Sequence, residues 1–219
     1  LYMLEQLPVQ SGTRMPMVLN LVNRSVSGPL NIHGDHSDLY FALNIGWPIL
    51  MARDPQAVYD MNIMAIKLAE DAEVRLPVIV SYDGYFTSHQ KRRLQVIKDS
   101  NEVRKFVGEV PTEFPHALDR DNPVTIGAYM NEPDTINNRY QQSQAMYNAE
   151  KVFERISKEF AELTGREYPV LDLYKMEDAE VAVFLLNSAT EVAKAAVDKL
   201  RAKGIKAGVI SPNILRPFP

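Results

Sequence analysis

Between Met17 and Tyr82 short apolar runs alternate with stretches of helical periodicity, and this alternation constrains the chain more than any other feature. It reads as strand 17–22, helix 38–46, strand 48–52, helix 55–72 and strand 77–82. Such an order predicts a parallel sheet, because parallel neighbours need a crossover, usually a helix, between them. Pro77-Val78-Ile79-Val80 is nearly continuous in apolar residues, as suits a strand covered on both faces. The helix from Pro55 carries proline at an early position, and Val58, Met61, Ile63, Met64, Ile66, Leu68 and Ala69 give it a broad apolar face. Trp47, Met51, Met61 and Met64 read as core. The fold class is α/β.

Further along, Ala145, Met146, Ala149, Val152, Phe153, Ile156, Phe160 and Leu163 recur at three- and four-residue steps up to Gly165. That spacing predicts a long helix over 141–164 with a glycine stop. Between Pro111 and Pro133 four prolines and many polar residues leave no periodicity, which predicts a long connection. Ala179 to Leu186 reads as a strand, Ser188-Ala189-Thr190-Glu191 has the spacing of a capping box, and Val192, Ala196, Val197 and Leu200 continue a helix to Gly204. Lys206 to Ile210 is the next strand, which completes a βαβ unit. The expected division is 1–110, a connection with a bridging helix over 111–165, and a second unit over 166–219. Leu1 to Leu7 reads as the middle of an amphipathic helix without a cap, and Ile214 to Pro219 as a strand exit, so both ends read as cut.

The 219 residues are 46% hydrophobic, ample for a buried core. A formal net charge of -4 with scattered basic residues offers no general attraction to a phosphate backbone, so nucleic acid is not an expected partner. No apolar run approaches the ~20 residues that span a bilayer and no signal-peptide pattern opens the chain, so no membrane partner and a cytoplasmic location are expected. The absence of cysteine excludes disulfides, a thiol nucleophile and cysteine-ligated iron–sulfur clusters within these residues. Neither a Gly-x-Gly-x-x-Gly nor a P-loop pattern occurs.

Candidate chemistry begins at Asn23-Arg24-Ser25-Val26-Ser27-Gly28-Pro29. This stretch places an arginine where a strand ends, and ligands of open α/β sheets bind beyond the carboxyl ends of the strands. A guanidinium there suits an anion, although the same arginine could hold a loop by pairing with a carboxylate. Ser27-Gly28-Pro29 makes a tight turn rich in backbone groups beside it. His33, Asp35, His36 and Asp38 combine imidazole and carboxylate, as zinc, iron or manganese sites do. Capping is the preferred explanation for them, with Asp35 or Ser37 as N-cap of a helix from about Asp38, and no metal site is expected. Asp83, Ser88 and His89 give a weak hydrolase reading, since neighbouring side chains normally point apart and no glycine-flanked nucleophile elbow is present. Thr87-Ser88-His89 instead reads as a polar loop lining the same crevice. Ser188, at a helix start, is read as a cap rather than a phosphate ligand.

Taken together, Arg14 to Val18 leading to Asn23-Arg24, Ser27 to Asp38, Tyr82 to His89 and Arg216-Pro217-Phe218-Pro219 resemble, in order, the α subunit or equivalent N-terminal region of the 2-oxoacid:ferredoxin oxidoreductases. The resemblance implies a parallel-sheet thiamine-diphosphate domain of the pyrimidine-binding type, truncated at its N-terminus, followed by the start of a transketolase C-terminal-like domain. It implies oxidative decarboxylation of a 2-oxoacid with transfer of electrons through iron–sulfur clusters to ferredoxin and formation of acyl-CoA. Pyruvate is the first choice of substrate, with oxalate or a branched 2-oxoacid as alternatives and a non-catalytic assembly module as the competing class. Arg24 is implied to contact the substrate carboxylate, with Asn23, Ser27 and Gly28 beside it and His33, Asp35, His36, Asp38, Thr87, Ser88 and His89 around the crevice. Thiamine diphosphate with its Mg, the clusters, and the threonine and glutamate that serve the pyrimidine are implied to lie mainly on other segments or subunits. By that reading these residues alone are inactive.

Overall fold

A computed structural model describes residues 2–29, 31–109 and 119–219. The chain opens with α1 (Tyr2–Thr13), then β1 (Val18–Asn23), α2 (Ser37–Ala42), β2 (Ile49–Met51), α3 (Pro55–Glu70), β3 (Val78–Asp83) and α4 (Ser100–Val107). It continues with α5 (Asp134–Thr164), β4 (Leu171–Tyr174), β5 (Val181–Phe184), α6 (Ala189–Arg201), β6 (Ala207–Pro212) and β7 (Ile214–Arg216).

The first sheet has the order β1-β3-β2-β7. The pairs β1–β3 and β2–β3 are parallel, as the alternation predicts, and β7 pairs antiparallel with β2. Central β3 explains its own apolar run. Val78 and Val80 face a core shared with α3 and α5, while Ile79 faces a second cluster holding Leu39, Trp47 and Met51. All four core candidates named from sequence are buried to within 1%. Helix α3 starts where Asp54 accepts the Ala57 amide at 2.8 Å with Pro55 behind it. Helix α5 ends at Gly165, whose left-handed φ of 71° lets the chain leave the helix without steric cost.

The second sheet has the order β4-β6-β5, and its parallel β5–β6 pair with α6 is the expected βαβ unit. Several expectations are corrected. Helix α5 begins at Asp134 rather than 141, because its first two turns are mostly exposed and carry no apolar stripe to betray them. Helix α2 stops at Ala42 rather than near residue 46, ahead of Gly46 with φ 81°. Strand β4 and helix α4 were not expected. Residues 214–216 are not a strand exit but the antiparallel edge of the first sheet. Of the expected 111–133 connection, residues 111–118 lie outside the described residues, and 119–133 contain no helix or strand.

A salt-linked seam ties the two sheets together. Arg53, just after β2, donates to Asp172 of β4 at 3.0 Å and lies 3.5 Å from Glu191 of α6, while Lys194 reaches Asp172 at 2.7 Å. Each of these pairs includes a partner that is largely buried, so water screens them less than it screens open surface pairs.

Candidate functional site at the carboxyl ends of the first sheet

Strands β1 and β3 run in register from Val18–Val78 to Asn23–Asp83, so Asn23 and Asp83 end side by side. Gly84 makes this possible: its amide donates to the Asn23 carbonyl at 2.8 Å, and a Cβ at this position would sit 2.5 Å from that oxygen. Asn23 is fully buried, and its Nδ2 donates to Ser81 Oγ at 2.6 Å.

The loop that follows β1 is held through its backbone. The Arg24 amide donates to Asp38 Oδ2 at 3.0 Å, the Val26 amide to Ser37 Oγ at 2.9 Å, and Ser25 Oγ to the Asn31 carbonyl at 3.0 Å. Arg24 itself is exposed, and no acceptor among the described residues takes its guanidinium. The loop-holding ion pair, the bland alternative for this arginine, is therefore not formed. Ser27 and Gly28 are exposed beside it, with the Gly28–Pro29 peptide cis.

His36, Asp83 and Ser188 converge from three elements. His36 Nε2 is 2.8 Å from Asn187 Oδ1 and 3.5 Å from Asp83 Oδ1. Asp83 Oδ2 accepts both the amide of Ser188, at 2.8 Å, and its hydroxyl. This corrects the capping reading of Ser188: it stands at the N-cap position of α6, but its side chain makes no cap bond and serves Asp83 instead. Capping at α2 follows a variant of the expectation. His36 occupies the N-cap without a side-chain bond, and Asp35 accepts the Ser37 amide at 2.5 Å. Hydrogen bonds from the Ser37 side chain and amide hold the Asp35 carboxyl below its ordinary range.

The remaining candidates lie on the turn after β3. Ser88 Oγ and His89 Nδ1 are 2.8 Å apart, contrary to the expectation that they point away from each other. The reason is the turn at Tyr85, whose φ of 64° curls residues 84–89 so that neighbouring side chains converge. They still make no triad, because Asp83 is committed to His36 and Ser188. Thr87 is buried and its hydroxyl has no hydrogen-bond partner among the described residues; nor has Asn23 Oδ1. His33 is exposed, bonded to Asn31 and 6.4 Å from the Tyr85 ring.

A cleft of about 550 Å3 opens beside these strand ends, with His36, Asp83, Phe86, Arg53, Arg92 and Ser188 in its wall. Arg24 is not in that wall, but His36, which is, directly precedes the Ser37 and Asp38 side chains that hold the arginine loop. A larger hollow of about 690 Å3 lies against α5 and is bordered by Glu150, Glu154, Glu162 and Glu167. Strand ends are where α/β sheets bind ligands, which favours the first location. No group of three or more His, Cys, Asp or Glu side chains that could hold a metal stands together among the described residues.

Sequence reasoning missed Asn187, although it touches more of this network than any other side chain. The available signal was its place in Leu186-Asn187-Ser188, where a strand turns sharply into a helix; asparagine is one of the few residues that tolerate the left-handed backbone found there, at φ 47°.

Comparison with known proteins gives consistent matches. The family model "Pyruvate flavodoxin/ferredoxin oxidoreductase, thiamine diP-bdg" matches residues 1–158, and "Pyruvate:ferredoxin oxidoreductase core domain II" matches 179–219. The pyruvate synthase subunit PorA of Thermotoga maritima is 42% identical over 96% of this chain and 53% of its own length. PorA of Methanosarcina barkeri is 38% identical over 100% of this chain and 54% of its own length. The alpha subunit of the NADH-dependent phenylglyoxylate dehydrogenase of Aromatoleum evansii is 35% identical over 95% and 52%. The chain thus spans about half the length of the curated relatives it matches. A 2-oxoglutarate:ferredoxin oxidoreductase from Magnetococcus marinus, solved with 2-oxoglutarate, coenzyme A and succinyl-CoA bound, shares the fold with a TM-score of 0.65 at 18% identity, over 100% of this chain and 40% of that one.

Proposed function

Because this chain belongs to the pyruvate flavodoxin/ferredoxin oxidoreductase family through its thiamine diphosphate-binding domain, we propose that it forms part of a cytoplasmic 2-oxoacid:ferredoxin oxidoreductase acting on pyruvate. The overall reaction would take pyruvate, CoA and oxidised ferredoxin to acetyl-CoA, CO2 and reduced ferredoxin, reversibly. Ferredoxin, the iron–sulfur clusters and the remaining subunits or domains are its proposed partners. Within the chain, 1–110 is the proposed pyrimidine-type domain, 111–165 the connection and bridging helix, and 166–219 the start of the second domain. The similarity to pyruvate synthase subunits supports the substrate.

The observation that carries this reading is the Arg24 guanidinium, left without an acceptor among the described residues at the end of β1 while its backbone is fixed by Asp38. A planar guanidinium can bind a carboxylate through two parallel charge-assisted bonds, which sets orientation as well as position. Binding alone would not speed loss of CO2 if the grip were equal in ground and transition states. Orientation is the contribution assigned to Arg24: it presents the 2-oxoacid in one pose. Asn23, Ser27 and Gly28 shape the same wall, and the loops of His33, Asp35, His36 and Asp38 and of Thr87, Ser88 and His89 flank it.

Thiamine diphosphate, when bound, supplies the electron sink that this chemistry needs. The residues present suit its organic end only in part. Asn23 Oδ1, at the end of β1, and Thr87 Oγ1, on the turn after β3, are a buried acceptor and a buried hydroxyl without a hydrogen-bond partner among the described residues, the chemistry a polar ring edge would need. Its diphosphate and Mg would be held by segments other than the described residues.

The test is pyruvate-dependent reduction of ferredoxin by the complete purified complex, with and without CoA. Reduction that requires pyruvate and CoA is the expected result. A complex free of thiamine diphosphate and inert toward pyruvate and phenylglyoxylate alike would overturn the proposal.

A further inference from the structure

We propose that Asn187, carried on the turn between β5 and α6, is the positioning residue that sets the arginine loop, so that the second sheet controls the geometry of the first sheet's ligand wall. This rests on the function proposed above for its kinetic consequence, but not for its structural one.

The amide of Asn187 is 1% exposed and uses both of its ends. Its Nδ2 donates to the carbonyls of Ala52 and Ser81, each at 2.9 Å, which pins together the carboxyl ends of β2 and β3. Its Oδ1 lies 2.8 Å from His36 Nε2 and 3.4 Å from Asn23 Nδ2. Two donors and two acceptor sites are the full capacity of a carboxamide, so any displacement leaves a buried group unmet.

Two of these contacts lead to Arg24 by different routes. Asn23 is its neighbour in the chain and fixes where β1 ends. His36 precedes Ser37 and Asp38, whose side chains hold the amides of Val26 and Arg24. The loop is thereby fixed at its root and across its span by one side chain from outside the first sheet. Ser188 reinforces the contact by grasping Asp83, the register partner of Asn23, through both its amide and its hydroxyl. A filler residue at 187 would need neither the saturated amide nor the left-handed backbone, φ 47°, that aims it.

The experiment compares Asn187→Gly, Asn187→Ala and Asn187→Asp in the complete complex. Glycine keeps the left-handed backbone and removes only the amide, whereas alanine adds backbone strain; aspartate keeps the shape but turns the two donors into acceptors facing two carbonyls. Hydrogen–deuterium exchange across residues 23–38 reads the positioning directly, whatever the activity. Faster exchange there in Asn187→Gly, with 60–70 in α3 unchanged, is the expected result. The kinetic readout is an at least tenfold rise in KM for pyruvate with a smaller change in kcat, and partial recovery of Asn187→Asp as falling pH protonates its carboxyl. Wild-type exchange across 23–38 in Asn187→Gly would overturn the proposal. If the wild-type complex fails to oxidise any 2-oxoacid, the functional reading falls while the exchange result still decides the role of Asn187.

Discussion

Strands β3 and β5 carry similar apolar runs, Val78-Ile79-Val80 and Val181-Ala182-Val183-Phe184, and meet opposite fates. Every side chain of the first run is 0% exposed, whereas Val181, Val183 and Phe184 remain 57, 47 and 46% exposed. The difference lies in the neighbours. Strand β3 has a strand on each side, α3 and α5 over one face, and the Trp47 cluster over the other. Strand β5 is an edge, with β6 as its one partner among the described residues, and the core of its sheet is a small cluster around Val197, Ala207 and Val209. An apolar run therefore specifies a strand but not how much of it is buried, and the sheet with the larger buried core is the one whose strand ends carry Asn23, Arg24 and Asp83.

The comparison is tested most severely by truncating one large side chain in each region. Phe153, 0% exposed where α5 packs on the first sheet, should lose about 3–5 kcal/mol on Phe153→Ala, measured by urea unfolding. Phe184→Ala should cost less than about 1 kcal/mol, since half of the side chain already meets water. Equal losses would erase the distinction between the two sheets.

A second effect appears only in alkali. Burial, and then the hydrogen bond to Asp60, push the Tyr168 phenol well above its ordinary 10.0. A raised value in the folded state means that its stabilising contribution is complete below pH 10 and is lost as pH rises beyond it, because only the unfolded chain releases the proton. Stability should therefore fall by about 1.4 kcal/mol per pH unit from this group above pH 10, relative to Tyr168→Phe. Parallel curves for the two proteins between pH 10 and 11.5 would contradict the burial argument.

A smaller contrast concerns helix starts. Asp54 caps α3 with a bond to the Ala57 amide at 2.8 Å, so Asp54→Ala should cost about 1 kcal/mol in thermal unfolding. Ser188→Ala has no cap bond of α6 to lose, and its effect should instead appear as faster exchange around Asp83. A larger thermal loss for Ser188→Ala than for Asp54→Ala would restore the capping reading.

These contrasts show what the sequence could reveal. The parallel sheet was legible because α3 and β3 bury their apolar faces and so display their periods openly, while β1 shows as an apolar run although its apolar side chains are only partly buried. The end of α5 was legible because Gly165 answers a local backbone demand. The first two turns of α5 were not, since they are mostly exposed and any polar sequence satisfies them. Strand β7 was hidden because its three residues gain their identity from a partner more than 150 positions away, and pairing across such a distance leaves no local pattern. At the site, Arg24 and its loop stood out by chain position and by the resemblance of their motif. Asn187 and the role of Ser188 did not, because both act through contacts with β2 and β3 that exist only once the two sheets have come together.

The central proposal is that the guanidinium of Arg24, which has no acceptor among the described residues, orients the carboxylate of a 2-oxoacid. The direct measurement is kcat/KM for pyruvate in the complete complex, comparing wild type with Arg24→Lys and Arg24→Ala at equal occupancy of thiamine diphosphate. Losing a charge-assisted bidentate partner costs about 2–5 kcal/mol, so Arg24→Ala should fall by at least ~30-fold, with Arg24→Lys between the two because it keeps charge without the planar fork. An Arg24→Ala complex that retains wild-type kcat/KM would contradict the account.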